Sequence, residues 1–122
     1  MSTQTSGRLF LIPNVLGDMA PLEVMPISVK KTIEALRCFV FEKEKAGRAF
    51  VKSISPNIPQ DTIAVHLLNK FTTEEDLTAM LVPLQRGEDM GLITDAGCPG
   101  VADPGAALVA RAHINNIRVI PL

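Results

Sequence analysis

Hydrophobic residues form five short, nearly continuous runs along the chain, separated by segments of helical periodicity. Continuous apolar runs of this length are typical of strands that are buried on both faces of a sheet. We predict strands at residues 9–12, 38–41, 63–68, 91–94 and 117–122. Their lack of strict alternation favours a parallel sheet covered by helices over a sheet with one solvated face.

Between the runs, apolar residues recur every three or four positions, which predicts helices that pack one face on the sheet. The helical positions are Val29, Ile33 and Leu36, then Phe50 and Ile54, then Leu77, Met80, Leu81 and Leu84, and finally Val109 and Ala112. Thr72 and Glu75 are predicted to form a capping box that opens the third helix, and Gly87 to end it. Pro83 predicts a kink or an early end, and Pro104 suits the first turn of the fourth helix.

The regular alternation of strands and helices indicates the α/β class. We predict a three-layer α/β/α domain with an open, mainly parallel five-stranded sheet. A length of 122 residues with 47% hydrophobic residues is sufficient for one domain with its own core. Open sheets of this kind bind ligands at the carboxyl ends of their strands, so the loops after those ends should carry the chemistry.

The segment after the fourth strand is the most informative one in the chain. Residues 95–105 read Asp-Ala-Gly-Cys-Pro-Gly-Val-Ala-Asp-Pro-Gly, with three glycines and two prolines. Glycines let a ligand approach the main chain, and prolines restrict the loop. The segment matches neither the dinucleotide fingerprint nor the P-loop, so we expect a small-molecule loop that does not cradle phosphate. The alternative is a tight turn between strand and helix.

Residues 94–105 resemble a loop of the tetrapyrrole (corrin/porphyrin) methylase superfamily. The likeness is to the branch that methylates the ribose 2′-hydroxyl of a cytidine in 16S ribosomal RNA. That branch carries Ser-Asp-Ala-Gly-Thr-Pro-x-x-Ser-Asp-Pro-Gly, which the chain matches apart from Thr94, Cys98 and Ala102. Residues 9–18 are similar to the family's first strand and its loop ending in Gly-Asp, so the resemblance spans nearly the whole chain.

The resemblance implies that residues 1–122 are the N-terminal α/β domain of a two-domain methyltransferase that uses S-adenosylmethionine, with the C-terminal domain absent from this chain. The cofactor would lie between the two domains, held largely by main-chain groups, and no metal is required. The residues implied to bind it are Pro13, Leu16, Gly17, Asp95, Ala96, Gly97, Cys98 and Val101. Asp18 and Asp103 serve either the ligand or their own loops.

Glu42 is the candidate catalytic base, because the family carries an acid at the end of its second strand that faces the cleft. The alternative is that Glu42 is an exposed acid in the first turn of a helix, where the helix dipole favours it. The segment Glu42-Lys43-Glu44-Lys45 keeps only the first acid and the basic fourth position of the branch's usual Glu-Asp-Thr-Arg.

Charge and cysteine content limit the remaining options. The formal net charge of −1 excludes nucleic-acid binding by overall charge. The stretch Lys30 to Lys52 is locally basic and faces either phosphate or solvent; its basic residues are Lys30, Lys31, Arg37, Lys43, Lys45, Arg48 and Lys52. Cys38 and Cys98 lack the spacing of a metal site or a disulfide framework, and no apolar run could cross a membrane, so we expect a reduced cytoplasmic protein.

We therefore expect a methyltransferase that acts on ribosomal RNA when full length, whereas this part alone should be inactive. A tetrapyrrole or precorrin methyltransferase and a catalytically idle interaction module derived from the methylase remain alternatives. A nucleotide-binding or regulatory domain of flavodoxin-like shape is a further one. His66 and His113 are expected to be structural, because each lies among apolar neighbours in a predicted element. An uncovered cleft face should favour a homodimer.

Overall fold

Strands and helices alternate along the chain in the computed structural model, which describes residues 6–13, 26–94 and 105–122. The strands are β1 (Arg8–Pro13), β2 (Cys38–Phe41), β3 (Ala64–Leu67), β4 (Met90–Thr94) and β5 (Arg118–Pro121). The α-helices are α1 (Ile27–Ala35), α2 (Glu44–Ile54), α3 (Glu74–Gln85) and α4 (Gly105–Ile114), and a short 3-10 helix spans Gln60–Thr62. All five predicted strands are confirmed, with ends that differ by one residue at most.

The strands form one sheet in the order β3-β2-β4-β1-β5, and every pair of neighbours is parallel. β4 is the central strand, with β1 on one side and β2 on the other. Pro13 lies opposite Thr94, and Phe41 lies opposite Ile93, so the carboxyl ends of these three strands meet at one edge. The predicted open parallel five-stranded sheet is therefore confirmed.

The core is divided by the sheet into two clusters, and alternate strand residues contribute to each. Phe39 and Phe41 of β2 stack with ring centroids 5.7 Å apart on the side covered by α1 and α2. Cys38 and Val40 face the side covered by α3 and α4. The chain thus forms the predicted three-layer α/β/α arrangement, and the strands are continuously apolar because both of their faces are buried.

The start of α3 corrects one sequence prediction. The capping box is formed by Thr73 and Asp76, not by Thr72 and Glu75. The Thr73 hydroxyl accepts from the Asp76 N–H at 3.1 Å, and the Asp76 carboxylate accepts from the Thr73 N–H at 2.9 Å. The Thr72 hydroxyl is used in the preceding loop, where it accepts from the Asn69 N–H at 2.8 Å.

The end of α3 agrees with the prediction made for Gly87. This residue has a φ of 96°, a left-handed conformation that glycine adopts without strain. Its N–H donates to the Leu84 carbonyl at 3.1 Å, and the Glu88 N–H donates to the Pro83 carbonyl at 2.9 Å. These two bonds define a Schellman motif. The helix ends at Gln85, two residues past Pro83.

Within residues 6–13, 26–94 and 105–122, no helix combines the length and the apolar character that a membrane crossing requires. Pro104, predicted in the first turn of α4, lies outside the described residues. α4 begins at Gly105 and includes Val109 and Ala112, as the apolar spacing predicted.

Candidate functional site

At the carboxyl edge of the sheet, the chain leaves two neighbouring strands toward opposite faces of the sheet. β1 and β4 are adjacent, but the chain continues from β1 to α1 on one face and from β4 to α4 on the other. In open α/β sheets, a crevice forms where consecutive connections diverge in this way, and ligands bind in it. The topology therefore marks the ends of β1 and β4 as the candidate site.

Pro13 is the one implied cofactor residue that the structure describes. It is the last residue of β1, is partly exposed, and pairs in register with Thr94 at the end of β4. The other seven implied cofactor residues, Leu16, Gly17, Asp95, Ala96, Gly97, Cys98 and Val101, lie outside the described residues, as do Asp18 and Asp103. Both segments that would supply them adjoin the edge where Pro13 and Thr94 meet.

Glu42 directly follows Phe41, the last residue of β2, and is partly exposed at the same edge. It does not lie in the first turn of a helix. α2 begins at Glu44, with Lys43 as its N-cap in an extended conformation, so Glu42 precedes the helix by two residues. Since β4 lies between β2 and β1, two strand spacings separate Glu42 from Pro13, about 10 Å.

The acid that does occupy the first turn of α2 is Glu44. Its carboxylate pairs with Arg48 one turn later, with 2.9 Å between Oε2 and Nε. The Arg48 guanidinium also donates to the Gln60 carbonyl at 2.9 Å. The Glu42 carboxylate, by contrast, forms no hydrogen bond or ion pair within the described part of the chain. Glu44 is therefore engaged within α2, whereas Glu42 has no partner among the residues that the structure describes.

Gly47 fixes the position of Glu42 through the neighbouring ring of Phe41. A Cβ atom at Gly47 would overlap the Phe41 ring, so only glycine allows α2 to approach β2 this closely. The ring is fully buried, which holds the end of β2 and the residue after it in place. Gly47 was not predicted as a site residue from the sequence, although a glycine in the middle of an amphipathic helix is a recognisable signal of close packing.

Other titratable groups lie away from this edge or are buried. Burial raises the pKa of the Cys38 thiol to about 11, and nearby Glu88 adds to the shift. Cys38 is therefore a protonated core residue. Burial lowers the pKa of His66, which is half-buried on β3, while His113 is exposed in the last turn of α4. The described residues contain no group of three His, Cys, Asp or Glu side chains that could hold a metal ion.

The fold defines a class, an open, parallel α/β protein, and its candidate ligand-binding edge is formed by β1, β4 and β2. No protein-family model matches the chain. Three relatives are each named Ribosomal RNA small subunit methyltransferase I. The relative from Leptospira biflexa is 29% identical over 95% of the chain, that from Synechocystis 28% over 95%, and that from Escherichia coli O157:H7 24% over 97%.

The matched region covers less than half of each relative, namely 45%, 39% and 38% of their lengths in the same order. The resemblance to ribosomal RNA methyltransferases is therefore confirmed across nearly all of this chain, and the chain spans about two fifths of the relatives that it matches.

Proposed function

We propose that this chain is the N-terminal α/β domain of a methyltransferase that transfers a methyl group from S-adenosylmethionine to a ribose 2′-hydroxyl in ribosomal RNA. One observation carries the proposal. Similarity to proteins named for small-subunit ribosomal RNA methylation extends over 95% of the chain or more, and so includes both strand ends of the candidate site. A C-terminal domain would complete the cleft, and the proposed setting is the cytoplasm.

Pro13 is the described residue of the carboxyl edge that the resemblance implies to lie beside the cofactor. Pro13 ends β1 without a backbone N–H to satisfy, and it borders the crevice where the chain turns toward opposite faces. S-adenosylmethionine, when bound, supplies an electrophilic methyl group and needs no metal. Pro13, with the seven further residues that the resemblance implies, would hold it at the ends of β1 and β4.

The remaining chemistry belongs to the protein. Methylation of a ribose hydroxyl would require a group that removes the hydroxyl proton as the oxygen becomes nucleophilic. Glu42 is proposed to accept this proton on its carboxylate, because it is the partly exposed acid at the end of β2 and has no partner in the described residues. The oxygen must also approach in line with the breaking bond, and a rigid strand end helps to provide that alignment.

The two residues that depart from the branch's usual pattern do not disturb Glu42. The Lys43 side chain is exposed at the N-cap of α2, and Glu44 is held by Arg48. This arrangement argues against the idle-module alternative. The names of the relatives favour ribosomal RNA over a tetrapyrrole as the methyl acceptor.

The test is Glu42→Gln in the full-length protein, assayed for methyl transfer from labelled S-adenosylmethionine to small-subunit ribosomal RNA. Turnover should fall by about a hundredfold or more, because the amide cannot accept the proton. Cofactor affinity, measured by calorimetry, should change by less than about twofold, since the shape of the side chain is conserved.

Glu44→Gln is the matched control, because it removes an acid two residues away whose partner is Arg48. Its turnover should stay close to that of the wild type. Equal turnover in all three proteins would remove Glu42 from the mechanism. Absence of methyl transfer to ribosomal RNA by the wild type would overturn the proposed function itself.

A further inference from the structure

The helical layer formed by α1 and α2 carries five lysines, whereas its helices contain two acids, Glu34 and Glu44. These lysines, which we call the lysine surface, are Lys30, Lys31, Lys43, Lys45 and Lys52. None of them forms an ion pair within residues 6–13, 26–94 and 105–122. α1 packs beside α2, so the lysines of both helices belong to one layer.

Three acidic residues elsewhere in the described structure form ion pairs with arginines. Asp89 pairs with Arg8 at 2.8 Å, Glu88 pairs with Arg86 at 2.9 Å, and Glu74 pairs with Arg111. The layer of α1 and α2 leaves positive charge exposed, so a chain with a net charge of −1 still presents a basic surface on one side.

Two of these lysines lie on the same face of α2. The buried face of this helix consists of Gly47, Phe50, Val51 and Ile54. Lys45 and Lys52 are seven residues apart, so they lie on one face two turns from each other, about 10 Å along the axis. Both are exposed, and the two residues midway between them are Arg48, which is paired with Glu44, and the small residue Ala49.

The lysine surface begins at the candidate site. Lys43 is the N-cap of α2 and directly follows Glu42, and Lys45 lies in the first turn. A strand of RNA that places a ribose at Glu42 would therefore meet Lys43 and Lys45 at once, and Lys52 farther along the helix. Lysine binds phosphate as a point charge without reading sequence, which suits contacts that only position a nucleic acid.

We propose that the lysine surface binds the phosphate backbone of the RNA substrate and guides it to the edge that carries Glu42. This inference rests on the proposed function for the identity of the substrate, but it concerns a separate set of side chains. It assigns a role to the basic stretch Lys30 to Lys52. From the sequence alone, this stretch could face either phosphate or solvent. The partner is RNA, not an acidic protein, because the lysines continue directly into the proposed methyl-transfer site.

The test measures the affinity of the full-length protein for a labelled single-stranded RNA over a range of salt concentrations. The variant is Lys45→Gln with Lys52→Gln. Each lost phosphate contact should reduce the slope of log K against log salt by about 0.7, so the double variant should lose about 1.4. At about 0.1 M salt the affinity should fall on the order of tenfold.

The control removes two positive charges far from α2, with Arg86→Gln and Arg118→Gln. Both residues are exposed, one at the end of α3 and the other at the start of β5. This variant has the same net charge as the first, and its affinity should stay within about twofold of the wild type. An equal loss in both double variants, or no loss in either, would overturn the inference. Tighter binding of polyglutamate than of RNA by the wild type would overturn it too.

Methyl transfer is measured in parallel to separate the two proposals. If the wild type methylates ribosomal RNA but the lysine variant binds RNA normally, the inference that the lysine surface binds RNA is wrong and the proposed function stands. If the wild type does not methylate ribosomal RNA but the lysine variant alone loses RNA affinity, the surface stands and the proposed function is wrong.

Discussion

Asp89, the residue before β4, connects the start of that strand to Arg8, the first residue of β1. Its carboxylate accepts from the Arg8 N–H at 2.8 Å and from the Arg8 guanidinium at 2.8 Å and 3.3 Å. The side-chain hydrogen bond from Arg8 is the largest cause that lowers the pKa of Asp89, and partial burial opposes it. The start of β1 is thereby tied to the start of β4 at the edge opposite the candidate site.

This pair predicts a pH-dependent contribution to stability. Because the pKa of Asp89 is lower in the folded state, the contribution is fully present above the unfolded value of 3.8 and is lost as the pH falls through the folded pKa. Asp89→Asn should therefore lower the urea midpoint of unfolding at pH 7, and the difference from the wild type should shrink as the pH drops below 3.8.

Asp61→Asn provides the comparison. Asp61 is exposed in the 3-10 helix, and its side chain has no partner in the described part of the chain. This variant should match the wild type at both pH values. A difference for Asp89→Asn that is the same at pH 7 and at low pH would show that packing, and not the ionised carboxylate, accounts for its effect.

Individual site residues could be predicted from the sequence only where their position along the chain fixes their position in the fold. Glu42 was located from its position after a strand, and that position is confirmed, while its catalytic role is still a prediction. Gly47 was missed, because its importance comes from the Phe41 ring, which approaches it across the layers and not along the chain. The Arg8–Asp89 pair joins residues 81 positions apart, and no local pattern indicates such a contact.

At the scale of single elements, α3 depends on its capping box. Thr73→Ala removes the acceptor for the Asp76 N–H and should lower the free energy of unfolding by about 1 kcal/mol. Thr32→Ala in the interior of α1 is the matched control. The Thr32 hydroxyl donates to the Ser28 carbonyl within the helix, and alanine has the higher helix propensity, so stability should be unchanged or slightly higher. Urea denaturation distinguishes the two; equal losses would contradict the assignment of the cap.

The one-residue error at this cap has a physical explanation. The sequence Thr72-Thr73-Glu74-Glu75-Asp76 allows a capping box in two registers, because each threonine has an acid three residues later. The loop decides between them, since the Thr72 hydroxyl is already used by the Asn69 N–H. The type and the extent of the elements follow from periodicity, whereas the choice between two equivalent local signals depends on tertiary context.

For the whole molecule, cofactor binding should require more than one domain. In the two-domain proposal, this chain supplies one wall of the cofactor cleft, so S-adenosylmethionine would stay largely exposed to water on this chain alone. Calorimetric titration should show affinity weaker by at least tenfold for this chain than for the full-length protein, a difference of about 1.4 kcal/mol or more. Equal affinities would mean that residues 1–122 hold the entire site, and the two-domain proposal would then be wrong.

A cleft face without its C-terminal domain is the reason why the sequence led us to expect a homodimer. Sedimentation of the full-length protein and of this chain would show whether a partner copy covers it.

The parallel three-layer architecture could be predicted from the sequence, because strands buried on both faces leave a distinctive apolar pattern. The strand order could not, since nothing in the local sequence indicates that β4 inserts between β1 and β2.

This strand order has a consequence for synthesis on the ribosome. Among the described strands, β1 pairs with β4 and β5 alone, so it has no partner until residues 90–94 have emerged. β2 and β3, by contrast, pair with each other as soon as α2 connects them. The β2-α2-β3 unit can therefore assemble during translation, while β1 must wait for more than 70 further residues, exposed to chaperones and to other nascent chains.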